Sequence, residues 1–328
     1  MVGTQKEHRK GDVLMRPKTI EQIELMKKQT IGVEIEFTGM TRERAASIVA
    51  GHFGTVAYHI GGGYDAWEIP EAETNRRWKV MFDSSIVSTG NRRDTKCELV
   101  TPILHYEDIE TLQEIVRKLR KAGAISNPSH MCGVHIHIGA DGHTAQTLRN
   151  LANLMASRER LIAKAIRIGR YRTNYCAVTD TAFLERLNTK KPKTMDELKH
   201  IWYNDTRDFH AHYDTTRYHM LNLHATFTKG TVEFRLFNFA EPDGDKKNGL
   251  HAGELKAWIQ LCLAMNQRAK DVKTVSPKQP QCENEKFAMR VWLKGLNLIG
   301  DEFKTARTLL TRNLDGNSAW RYGVQATA

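Results

Sequence analysis

Three short stretches of this 328-residue chain alternate strongly polar with apolar side chains at a period of two, and no other feature restricts its fold as much. In a strand, residues i and i+2 face the same way. Along Ile31 to Phe37 that puts Glu34 and Glu36 on one face and Val33, Ile35 and Phe37 on the other. Along Gly133 to Gly139 it pairs His135 with His137 against Val134, Ile136 and Ile138; along Thr231 to Phe237 it pairs Glu233 with Arg235 against Val232, Phe234 and Leu236. One explanation is the solvated side of half-exposed antiparallel strands. Such faces normally mix Thr, Ser, Lys and Gln, whereas these six positions hold three Glu, two His and one Arg. Like charges at adjacent positions on one face repel unless a cation lies between them. Hard divalent ions prefer carboxylate oxygens, and imidazole can complete the shell. If the three strands share a sheet, their polar face is an acidic bowl with an arginine at its rim, suited to a metal ion and a phosphate group. A His-x-His strand can also take zinc, but a carboxylate-dominated set without Cys favours Mg2+ or Mn2+.

Two further segments add single acids: Glu98 within Lys96 to Pro102, and Asp83 at the end of the run that begins at Trp78. No GxxxxGK[ST] loop, no GxGxxG turn between a strand and a helix, no HExxH and no GxSxG elbow occurs, which argues against P-loop, Rossmann, zincin and α/β-hydrolase chemistry. Gly61-Gly62-Gly63 reads as a hairpin turn. Five cysteines without a CxxC pair predict reduced, packed thiols rather than a disulfide framework or a thiolate zinc site. Cys132 is read as one of these thiols and not as a nucleophile. His210, His212, His219 and His224 lack ligand spacing and are read as surface or packed residues.

Around these strands the pattern predicts a leader over residues 1–30 with a short helix from Thr19 to Lys28, and a helix capped by Thr41 and running to about Gly51. His52 to Ile103 reads as β-rich, and Tyr106 to Ala122 as an amphipathic helix stopped by Gly123. One long helix is expected from Thr144 to Ile168, then two strands between Tyr218 and Phe239 joined at Thr228-Lys229-Gly230. Helices follow from about residue 250, with Trp258, Leu261 and Met265 in the core. Because strands from both halves carry matching chemistry, residues 31–328 are expected to form a single α+β domain whose C-terminal part is helical.

No apolar run approaches the 18 residues of a membrane span, and the polar opening lacks the apolar core of a secretory signal. A cytoplasmic protein without a membrane partner is expected. Net charge is +11, and residues 158–199 alone hold eleven Lys or Arg against five Asp or Glu. This surplus suits an anionic partner, whether nucleotide, acidic substrate or nucleic acid, or is simply a solvated helix face.

Taken in order, Gly32 to Phe37, Asp83 to Ile86, Cys97 to Pro102, Cys132 to Gly139 and Thr231 to Phe237 resemble the amidoligases, carboxylate–amine ligases of the glutamine synthetase and glutamate–cysteine ligase superfamily. Tyr64 to Trp78 and Tyr218 to Asn222 are similar to the family's connecting segments, and the likeness runs from about Ile31 to Arg268. The resemblance implies a glutamine synthetase-like catalytic domain: a curved, mainly antiparallel sheet with helices packed on its outer face. It also implies ATP and two Mg2+ ions, with Mn2+ as a substitute. Glu36, Asp83 and Glu98 would hold the ion nearer the acceptor carboxylate, Asp83 being shorter than the glutamate of glutamine synthetase. Glu34, His135 and Glu233 would hold the ion that bridges the ATP phosphates. His137 would touch phosphate, and Arg235, catalytic together with Glu233, would neutralise the γ-phosphoryl group in transfer. Arg172, with Arg170 and Asn174, resembles a segment that grips an acidic ligand and is placed among the nucleotide-binding residues.

Such a site suits phosphorylation of a carboxylate, which turns a poor acylating agent into one with a leaving group. Phosphoryl transfer needs mostly positioning and charge neutralisation, and the acyl phosphate must be shielded from water. The expected partners are a small-molecule or peptide carboxylate and an amine; the basic segment would also suit an acidic or nucleic-acid-borne substrate. Two other readings stand beside this one, a hydrolase on the same acidic face and a nucleic-acid-binding protein using the basic segment. A metal-dependent hydrolase would turn over without ATP. A nucleic-acid-binding protein would show steep salt dependence and leave the paired Glu and His residues without a role.

Overall fold

Period-two alternation becomes geometry in the computed structural model, which describes residues 15–204, 214–241 and 249–319. The strands are β1 (Ile31–Phe37), β2 (Tyr58–Gly61), β3 (Ala66–Pro70), β4 (Arg77–Met81), β5 (Cys97–Val100), β6 (Val134–Gly139), β7 (Leu221–Asn222) and β8 (Thr231–Phe237). They form one eight-stranded sheet in the order β2-β3-β4-β5-β1-β6-β8-β7, and each neighbouring pair is antiparallel. The helices are α1 (Pro17–Lys27), α2 (Arg42–Phe53), α3 (Ile109–Lys121), α4 (Ala145–Ala156), α5 (Glu159–Ile166), α6 (Thr181–Lys190), α7 (Met195–Tyr203), α8 (His224–Thr228), α9 (Ala252–Asp271), α10 (Glu285–Gly295) and α11 (Lys304–Leu309).

The three alternating strands lie side by side at the centre as β1, β6 and β8, with β5 on the other flank of β1. Their apolar residues, including Ile35, Phe37, Ile136 and Phe234, are buried in one continuous core. The long helix α9 covers that face, where the Trp258 ring stacks on Phe237 with centroids 5.2 Å apart. α1, α3, α4 and α11 pack in turn on α9. Burial of each large apolar side chain contributes roughly 1.5–3 kcal/mol, so the helices hold the sheet from one side while its other side stays polar.

Several expectations shift. The helix expected in the leader is α1, which packs on the fold: Ile23 and Met26 are buried, and the Gln29 amide donates to the Leu263 carbonyl at 3.0 Å. Residues 1–14 of the predicted leader lie outside the described residues. The helix predicted from Thr144 to Ile168 breaks between α4 and α5. There the Ser157 hydroxyl donates back to the Leu154 carbonyl at 2.8 Å and Arg158 leaves helical geometry (φ −134°, ψ −8°), a known effect of local hydroxyl bonding. The first of the two strands expected before Phe239 shrinks to β7, because the chain turns into α8 before reaching Lys229. Thr41 caps α2 as predicted, its side chain accepting from Arg44 N–H, and β2 and β3 form a hairpin around Gly61-Gly62-Gly63. Cys97, Cys132, Cys176 and Cys262 are buried and Cys282 is exposed, all as thiols. No helix among the described residues is long and apolar enough to cross a membrane.

Candidate metal centre on the polar face of the sheet

Strand register decides which polar groups meet. Glu34 lies opposite His135 across the β1–β6 pair, and Glu36 lies opposite Glu98 across β1–β5. His137 faces Glu233 across β6–β8, and Asn222 of β7 faces the same Glu233. Directly opposed residues point to the same side of a sheet, so four carboxylates and two imidazoles converge beneath the middle of the fold.

His135 is the hub. Its Nδ1 lies 2.9 Å from Glu34 Oε2 and 3.9 Å from Glu233 Oε1, and its Nε2 lies 3.7 Å from Glu36 Oε1. Two sets of three residues accordingly bring donor atoms within 4.8 Å of one another: Glu34, His135 and Glu233, and Glu36, Glu98 and His135. Asp83 joins neither set; its Oδ1 accepts from the Ser85 N–H and hydroxyl, both at 2.6 Å. It is still close enough to act on Glu98, whose carboxyl is pushed well above the ordinary range, first by burial and then by the charges of Glu34, Glu36 and Asp83.

Glu34 and Glu233 are held ionised. Burial pushes the Glu34 carboxyl up, but the His137 and His135 rings outweigh it and leave it well below the ordinary range. Burial likewise opposes ionisation of Glu233, and His137, Arg235 and His135 bring it down to about 2. Asn222 donates to Glu233 Oε2 at 2.7 Å and Arg235 Nη1 to Oε1 at 2.5 Å. Arg235 was expected at the rim; it is instead 5% exposed, with its guanidinium 5.9 Å from the Tyr218 ring centroid. Glu36 is fixed through Oε2, which accepts from Gly133 N–H at 2.6 Å.

The basic segment divides. Arg172 turns inward from the 3-10 turn Arg170–Asn174 and is 3% exposed, whereas Arg170 and Asn174 face solvent. One of its nitrogens lies 3.5 Å from Glu36 Oε2, and another donates to the Arg235 carbonyl at 2.8 Å. Lys164 instead pairs with Glu285 at 2.6 Å and Asp315 at 2.7 Å.

Oxygen-rich sets of this kind match a hard divalent cation. Two buried guanidinium nitrogens on the same face (Arg172 Nε and Arg235 Nε) make no hydrogen bond, and His137 Nε2 has only its 3.3 Å approach to Glu34 Oε1 and a longer one of 3.9 Å to Glu233 Oε2. Buried polar atoms are rarely left so, and these surround the carboxylates, as an anionic ligand joined to the ion would require. Beyond Glu34 and His137 the face opens into a cleft of about 310 Å³ between the ends of β1, β5, β6 and β8. Thr30, Thr101, Asp141 and Lys229 line it.

Residues 27–266 match the model of a family described as "putative amidoligase enzyme". The chain belongs to the amidoligase family. That span contains every residue of both donor sets as well as Asp83, Arg172 and Arg235, and membership makes the chain a ligase-type enzyme. No curated protein matches it.

Asn222, Lys229, Thr231 and Gly133 escape a reading of the sequence alone. Asn222 sits on a two-residue strand. Lys229 occupies a turn, and Thr231, which bonds His137 Nδ1 at 2.9 Å, is one of many strand threonines. Gly133 carried one signal, a glycine directly ahead of the His-x-His strand. A Cβ there would lie 2.1 Å from the Arg172 guanidinium. Of the discounted residues, His224 is buried against the Tyr203 hydroxyl at 2.6 Å, and burial pushes the Cys132 thiol well up, away from nucleophilic use. His210 and His212 lie outside the described residues.

Proposed function

We propose that this amidoligase joins a carboxylate to an amine with ATP, on a glutamine synthetase-like sheet, releasing ADP and phosphate. The observation that carries the reading is the convergence of two carboxylate–imidazole donor sets on one buried face that also holds two arginines. Glu34, Glu233 and His135 would hold one Mg2+ and Glu36 and Glu98 the other, with Asp83 beside them. When bound, the ions supply charge neutralisation to phosphoryl oxygens. Arg235, fixed by Glu233, would turn its unsatisfied Nε to the developing charge, and His137 would offer phosphate the Nε2 that now lies 3.3 Å from Glu34 Oε1. Arg172 and Gly133 N–H hold Glu36 by one oxygen, leaving the other for the ion.

In balance, a substrate carboxylate oxygen takes the γ-phosphoryl group and ADP leaves. The amine nitrogen then bonds to the acyl carbon, phosphate leaves, and the nitrogen gives up a proton. The substrates are a small-molecule or peptide carboxylate and an amine. The test is a screen of carboxylate and amine pools with ATP and MgCl2, using Glu36→Ala as blank. ADP and phosphate are expected only with both pools present. AMP and pyrophosphate, or turnover without ATP, overturn the reading.

A further inference from the structure

An ammonium stands against the most open of the donor carboxylates. Lys229 Nζ lies 3.5 Å from Glu34 Oε1, with its side chain 38% exposed and that of Glu34 18%. Its backbone cannot move far: Lys229 N–H donates to the Ala225 carbonyl at 2.8 Å, and the Gly230 carbonyl accepts from Ala140 N–H at 3.0 Å. The four-carbon stem is left free to rotate about its own bonds, and it lines the cleft together with Thr30, Thr101 and Asp141.

Glu34 Oε1, which also lies 3.3 Å from the His137 ring at Nε2, would be shared between this ammonium and a divalent ion. A divalent ion on Glu34 and an ammonium this close to the same carboxylate repel each other. An anion attached to the ion removes the conflict, because it gives the ammonium a new partner within the sweep of its stem. A lysine suits such an exchange, being a point charge on a flexible chain, where an arginine fork is committed to one planar partner.

Resting on the nucleotide-dependent reading above, we propose that Lys229 exchanges partners, leaving the Glu34 carboxylate for the terminal phosphates of a nucleotide entering through this cleft. It thereby weakens binding of a divalent ion that arrives without nucleotide and strengthens binding of the ion–nucleotide complex. The two effects have opposite signs, which a purely structural role for Lys229 would not produce.

The experiment is calorimetric titration of wild type, Lys229→Met and Lys229→Arg with two probes: MnCl2 alone, and Mg2+ with a non-hydrolysable β,γ-imido ATP analogue. Thermal unfolding checks that each variant is folded. Lys229→Met is expected to bind Mn2+ alone about threefold more tightly, the size of a half-exposed charge interaction. It should bind the analogue at least about tenfold more weakly, as for a lost charge-assisted bond. Lys229→Arg, which keeps the charge, should stay nearer wild type in both. Changes of the same sign for the two probes in Lys229→Met, or no change in either, overturn the proposal. A wild-type protein that binds neither probe overturns the nucleotide reading itself, and the role of Lys229 falls with it.

Discussion

Replacing Glu98 with Gln should make the protein more stable in a chelator and less responsive to Mg2+. Glu98 is 8% exposed, opposes Glu36 across the β1–β5 pair, and has its carboxyl pushed up by burial and then by Glu34, Glu36 and Asp83. An acid whose folded pKa is raised destabilises the fold at pH above its ordinary value, because the unfolded chain ionises where the folded chain resists. From the ordinary 4.5 to pH 7 the largest relief is about 2.5 units at roughly 1.4 kcal/mol each, or about 3 kcal/mol. At roughly 2 °C per kcal/mol for a chain of this size, the variant should melt up to about 6 °C higher in EDTA. The advantage should shrink to a few tenths of a kcal/mol at about pH 4.5, where the unfolded carboxyl is half protonated and the folded one fully so. The amide cannot replace the charge toward a metal ion. With Mg2+ at about 100 times the wild-type dissociation constant, wild type should gain about 2.7 kcal/mol, roughly 5 °C. A hundredfold loss of affinity leaves the variant about 0.4 kcal/mol, under 1 °C. Thermal unfolding of both proteins in EDTA and in MgCl2, at pH 7 and pH 4.5, reads all four quantities. If Glu98→Gln melts lower than wild type in EDTA, or keeps the full Mg2+ increment, then Glu98 is not a repelled donor of a cation site.

Two other predictions use different parts of the fold. Gly133→Ala places a methyl where the Arg172 guanidinium lies, 2.1 Å from its central carbon. The flexible arginine can swing away, so the melting temperature should change by only a few degrees, while ADP release should fall at least about tenfold as Glu36 loses its guanidinium partner; unchanged activity would refute the positioning. His143, with Nε2 2.9 Å from Asn266 Oδ1, is brought down to about 4, chiefly by burial and then by Lys270. The unfolded chain binds a proton near 6.5 that the folded ring refuses until about 4, so this contribution is full above 6.5 and is lost as pH falls through that window. Urea unfolding at pH 7 and pH 5 should show wild type losing about 2 kcal/mol that His143→Gln does not lose; parallel losses would count against a neutral buried ring.

What could be read from the sequence and what could not divide along one physical line. Alternation determines which face a residue occupies, so Glu34, Glu36, His135, His137 and Glu233 could be assigned to a common side before any strand was paired. Register then makes the site: a slip of one residue between β1 and β6 would carry Glu34 away from His135, and nothing local in either strand specifies that pairing. The pairing comes from the buried side, where Ile35, Ile136 and Phe234 must meet the helices, so the apolar face aligns the polar one. Groups that enter from outside the sheet have no such periodicity. Arg172 reaches Glu36 from a turn after α5, and Lys229 reaches Glu34 from the end of α8; both positions depend on where helices stop. The break at Ser157, which alternation and helical stripes alike pass over, separates α4 from α5 ahead of the turn that carries Arg172. The paired acids of this centre and Arg235 thus follow from strand patterning, while Arg172 and Lys229 follow from tertiary packing. Substitutions that disturb α5 or α8 should therefore alter charge balance at the donor sets while leaving the sheet that holds the carboxylates intact.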